Sequence, residues 1–140
     1  MNTVHHFPRK LPLLAVFLCA QLWVAAAWAT PLGSTRDDFE APGTQPLSLT
    51  DPISTPDQCV SCHSNYGQPQ VEPMRAWQGS MMAQSGRDPM MWAALAVANQ
   101  VAPHAGETCL RCHLPKGWLE GRSVPEDGTE MTAADRHGVQ

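Results

Sequence analysis

Positive charge, β-branched apolar residues and alternating strand patterns are all scarce in this chain of 140 residues. Each scarcity removes a class of fold or function. Nine Lys and Arg stand against 13 Asp and Glu, and nothing resembles a basic patch, which argues against a nucleic-acid partner. The apolar content is mostly Ala, Met, Leu and Trp, while Pro and Gly are abundant; that mixture makes a poor independent core. No period-two run supports a strand. The expected fold is mainly α with extensive loops and little or no β-sheet, its middle filled by something besides side chains.

The first 29 residues read as an export signal. Arg9 and Lys10 close a positive n-region, Leu11 to Ala26 is almost wholly apolar, and Ala27-Trp28-Ala29 offers small residues for cleavage before Thr30. An uncleaved anchor is the alternative. Cys19 lies in the apolar stretch behind Val16-Phe17-Leu18, without the small residue that a lipid-bearing cysteine normally follows, and would leave with the signal. Cleavage takes Arg9 and Lys10 but no acid, leaving 7 basic against 13 acidic residues, a formal charge of −6. The expected location is periplasmic or secreted. No later run is long enough to cross a bilayer.

Residues 30–56 are rich in Pro, Gly, Ser, Thr and Asp with no period and read as an extended lead-in that wraps the domain, or as a flexible arm. Residues 57–140 form the remaining segment. Pro73, then Met74, Trp77, Met81 and Met82 at spacings of three and four, predict a helix to about Ser85. Asp88-Pro89 signals a restart, and Met90 to Ala98 is apolar on every face, which predicts a buried helix.

Four of the five cysteines lie in two copies of one pentapeptide pattern, Cys59-Val60-Ser61-Cys62-His63 and Cys109-Leu110-Arg111-Cys112-His113. A thioredoxin-like pair needs a βαβ setting, which is missing. Four thiolates suit zinc, but 46 residues separate Cys62 from Cys109, against about 15–20 in the usual knuckle, and zinc gives no reason for both histidines. Covalent haem attachment accounts for every position: two cysteines three apart reach the two vinyl groups, and the next residue carries an imidazole under the iron. Two haem c groups are therefore expected. Two structural disulfides or one zinc remain the alternatives. The haems would give Trp77, Trp92, Leu95 and the methionines flat apolar faces to cover.

Each iron can take a distal Met, a distal His or neither. The candidates are Met74, Met81, Met82, Met90, Met91, Met131, His104 and His137. Any one of these methionines is an ordinary core residue unless geometry says otherwise, and loop histidines such as His104 are common.

The stretches WQGSMMAQSGRDPMMWAALAVANQ (Trp77 to Gln100) and GETCLRCHLPKGWLEGRS (Gly106 to Ser123) resemble segments of the large exported multihaem c-type cytochromes. The resemblance implies haem thioethers at Cys59, Cys62, Cys109 and Cys112 and proximal iron ligands at His63 and His113. It also makes Met82, at the Met-or-His position of a W-x-x-S-x-[MH]-A pattern, the leading distal candidate ahead of His104 and His137. Relatives continue beyond a segment such as Asp135-Arg136-His137-Gly138-Val139-Gln140 into another motif, so a truncated product or fragment of a longer cytochrome is expected.

Two functions follow. One is electron transfer between exported redox proteins, with an acidic surface favouring basic partners. The other is an oxidoreductase acting on a small nitrogen or sulfur compound at an open iron, with Tyr66, Arg75 or Arg87 holding substrate. No catalytic residue stands out, and electron transfer is the expectation.

Overall fold

Local capping sets where the main helices begin. Asp88 accepts a hydrogen bond from the Met90 N–H at 2.9 Å and Pro89 occupies the first helical position, so the restart expected at Asp88-Pro89 is a real helix start. The computed structural model describes residues 31–140; the proposed signal, its cleavage point and Cys19 lie outside them. In chain order the α-helices are α1 (Val60–His63), α2 (Pro73–Gln78), α3 (Met81–Gln84), α4 (Pro89–Val101), α5 (Gly106–His113) and α6 (Pro115–Leu119). Short 3-10 turns lie at Arg36–Phe39, Pro56–Gln58, Pro69–Val71 and Ala134–His137. Among the described residues there is no strand, so the chain is mainly α with long loops.

The core is small and local. Met91 and Leu95 of α4, Leu110 of α5, Leu114, Trp118 of α6 and Met131 form one buried cluster, with Trp92 and Leu119 at its edge. Leu95 and Trp92, expected against a porphyrin, pack here against protein. A second expectation also changes: α4 is apolar all round but buries only one stripe. Met91 and Leu95 face in, while Met90 is 73% exposed and Val97 and Val101 are more than half exposed. Residues four apart share a face, and among the described residues nothing covers the opposite one.

The single helix expected from Pro73 to about Ser85 is two. After Gln78 the chain passes through Gly79 and Ser80, and the Ser80 hydroxyl accepts the Ala83 N–H at 3.2 Å. A serine that caps a new helix competes with continuation of the old one, a conflict that the unbroken Met/Trp spacing conceals.

The lead-in wraps the helices. Leu47 N–H donates to Leu119 O at 2.7 Å, and Leu32 N–H to Val101 O at 2.8 Å. Arg111 donates to the carbonyls of Ala41 (2.8 Å) and Pro42 (2.7 Å), and the Lys116 ammonium donates to Ile53 O at 2.6 Å. Side chains of α5 and α6 thus supply donors to a segment with few backbone partners of its own.

Asp135, with no exposed surface, pins the far end. Its carboxylate accepts from Arg122 Nε at 2.8 Å and from Arg122 Nη2, and from the N–H and hydroxyl of Thr132, each at 2.8 Å. Burial alone would push its carboxyl up; the hydrogen bonds from Arg122 and Thr132 outweigh that and hold it below the ordinary value. The group therefore stabilises the fold above the unfolded value near about 3.9, and that contribution is lost as pH falls through the lower folded value. Asp135→Asn is expected to lose about 1.5–3 kcal/mol at neutral pH. Urea titrations should show the gap to wild type closing below about pH 4; a gap independent of pH would contradict this assignment.

Candidate functional site

The first pentapeptide follows directly on the 3-10 turn Pro56–Gln58. Cys62 N–H and His63 N–H both reach Cys59 O, at 3.2 and 3.0 Å, so one helical turn carries both thiols and the imidazole. Cys59 and Cys62 are exposed, unpaired thiols. Tyr66 donates its hydroxyl to Cys62 O, tying the end of the turn to the loop beyond. Cys59 and His63 open onto a cleft of 230 Å³ that Pro73, Met74 and Trp77 of α2 and Gln140 also line.

The second pentapeptide ends the longer helix α5. Leu110 is fully buried, Cys109 is half-buried and Cys112 is exposed; both thiols are unpaired. Burial pushes the Cys109 thiol up, with the neighbouring Cys112 adding to the effect against an opposing backbone hydrogen bond. A raised thiol suits a structural or alkylated cysteine better than a thiolate nucleophile. Cys112 and His113 open onto a cleft of 560 Å³ that also holds Met81 and Met82 of α3, with Arg87 and Val139. Ser85 Oγ lies 3.0 Å from His113 O and 2.9 Å from Met82 O, fastening α3 to the end of α5.

One short segment serves both clefts. Val139 lines the second and Gln140 the first. Val139 N–H donates to Met82 O at 3.0 Å, and its carbonyl accepts the Trp77 indole N–H, also at 3.0 Å. Gly138 makes this approach possible. Its φ is +78°, and a Cβ there would lie 2.1 Å from Met82 O, so no side chain fits.

No family model matches the chain, and neither curated proteins nor solved structures gave a match. The chain's own residues carry the chemistry.

Cys59 lines one cleft and Cys112 the other, and among the described residues no group of three or more His, Cys, Asp and Glu side chains is assembled for a metal ion. That geometry does not build a four-thiolate zinc centre. A c-type haem asks for something else: two free thiols on one turn, the following histidine, and an apolar cleft beside them. Both motifs fit. His113 Nδ1 is buried without a hydrogen-bond partner.

Of the distal candidates, Met82 shares a cleft with His113, as does Met81. His104 lines neither cleft; its Nδ1 lies 3.1 Å from Glu126 Oε1. His137, in the 3-10 turn Ala134–His137, also lines neither. Met91 and Met131 belong to the core cluster and Met90 is exposed. Arg87 lines the second cleft, whereas Tyr66 and Arg75 line neither. Val139 and Gln140 were not legible as wall residues: nothing in their local sequence tells that the chain returns between α2 and α3.

Gly138→Ala is expected to destabilise the protein by about 1–3 kcal/mol through strain at positive φ. Gly33→Ala, which meets nothing within 4 Å, should stay within about 0.5 kcal/mol of wild type. Thermal melts of the two variants side by side check both.

Proposed function

We propose that this chain is an exported electron-transfer module, periplasmic or secreted, that holds two covalently attached haem c groups. It would belong with the multihaem c-type cytochromes that its sequence resembles. The observation that carries this proposal is the pairing of each Cys-x-x-Cys-His turn with its own apolar, methionine-bearing cleft. Cys59 and Cys62 would hold the first haem by thioethers and Cys109 and Cys112 the second, with His63 and His113 as proximal ligands. Bound haem supplies an iron that exchanges one electron.

The chain's own part is to hold, orient and shield. The single helical turn fixes both thiols relative to the histidine, and the covalent links keep the group in place whatever its oxidation state. Buried Met74 lines the first cleft with Pro73 and Trp77, and Met81 and Met82 line the second. Low polarity around an iron limits solvent rearrangement on electron exchange, and axial Met raises the potential relative to axial His. The formal charge of −6 beyond Ala29 suits encounter with basic redox partners. Among the described residues no helix is long and apolar enough to cross a membrane.

A second function, an oxidoreductase acting on a small nitrogen or sulfur compound, draws on Arg87 in the larger cleft, a cation beside the site where such a substrate would sit.

Expression with the signal in a host competent for haem c maturation tests the proposal. Intact mass should rise by two haems, with low-spin spectra unchanged by carbon monoxide. Cys59→Ala with Cys62→Ala should remove one haem and leave the other. One carbon monoxide-binding iron in the wild type would favour the enzyme. No haem would overturn both functions.

A further inference from the structure

We infer that Met74 is the distal ligand of the iron held at His63, so that each of the two irons has its own His/Met pair: His63 with Met74, and His113 with Met82. This inference rests on the haem proposal above and assigns within it a ligand that sequence spacing did not single out.

The argument starts from the donors available around the first cleft. Its lining includes Ser54, Pro56, Pro73, Met74, Trp77 and Gln140, besides Cys59 and His63. Prolines offer no side-chain donor. The Trp77 indole nitrogen has only a proton to give, and that proton is committed to Val139 O. Ser54 and Gln140 present hydroxyl and amide oxygens, hard neutral donors that haem iron seldom takes from protein. The Met74 thioether is the one soft neutral donor among these residues, and thioether opposite imidazole is an established axial pair.

The surroundings of Met74 support the same assignment. A buried methionine is ordinarily core packing, and Met91 and Met131 are examples, each within the buried cluster of α4, α5 and α6. Met74 is equally buried, at 7% exposure, yet lies outside that cluster. What it lines instead is the cleft that contains the first motif. Pro73 at the first helical position fixes the backbone immediately before it, and α2 packs against α1, so Met74 and His63 are presented by two adjoining elements. His104 and His137, the other nitrogen donors considered, line neither cleft.

The assignment has a functional consequence. With a methionine for each iron, neither is left open to exogenous ligands, and both lie on the high-potential side of axial choice.

The test uses the haem-loaded protein and Met74→Leu, a nearly volume-conserving change. Wild type should bind no carbon monoxide, and its reduced form should show two upfield-shifted axial methionine methyl signals by proton NMR. Met74→Leu should keep two haems by mass, lose one methyl signal, become partly high-spin and bind one carbon monoxide per chain. In a Cys59→Ala, Cys62→Ala background, which lacks the first haem, adding Met74→Leu should change nothing in the remaining spectrum. Met91→Leu serves as a core control and should leave both irons six-coordinate. A two-haem Met74→Leu protein with the wild-type spectrum would overturn the assignment, as would a single axial methionine signal in wild type should the variant fail to fold. Absence of haem by mass would overturn the haem proposal itself, and this assignment with it.

Discussion

Leu110 has no exposed surface, and the placement of the second motif follows from that one buried side chain. A helix that commits position 110 to the core keeps positions 109 and 113 nearer that core and turns position 112 to the far side by geometry alone. The motif therefore cannot rotate without extracting a leucine from among Met91, Leu95, Leu114 and Trp118. The indole of Trp118 reinforces the hold by donating to Glu107 at 2.6 Å, and Arg111 lies over the Trp118 ring at 4.7 Å while donating to the lead-in. One helix thus binds core, wrap and motif together. The first motif has no equivalent. Its four-residue helix α1 buries none of its residues and depends on flanking turns and on α2 for its position.

That asymmetry bears on how a small domain folds. The half built on α4, α5 and α6 has its own apolar cluster and the buried Asp135–Arg122 pair, with Lys116 and Glu120 adjoining it. The half built on α1 and α2 has Met74 and Pro56 as its buried residues, both lining the first cleft. A covalent group in that cleft would supply the apolar surface that the side chains do not. The second site would be held by protein first, the first site by its ligand.

Legibility in the sequence followed the range of the interactions. Asp88-Pro89 announced the start of α4 because a cap is made within three residues. The pentapeptides announced themselves because one helical turn carries all their chemistry. That the described residues hold no strand was also readable, since alternation is local. The break at Gly79-Ser80 was hidden because Met74, Trp77, Met81 and Met82 keep helical spacing across it, although they serve two different clefts. The exposed side of α4 was hidden because composition reports what a helix could bury, not what is there to cover it. Which methionine belongs to which motif depends on the chain's path between α2 and α3, and no spacing rule carries that information.

Residue 139 sits at the meeting point of those two clefts. Its N–H is bound to α3 and its carbonyl to the indole of α2, and Gly138 leaves no slack on one side. Were filling one cleft to displace this segment, the other would feel it, and the free energy so transferred would be the same in both directions whichever cleft is filled first.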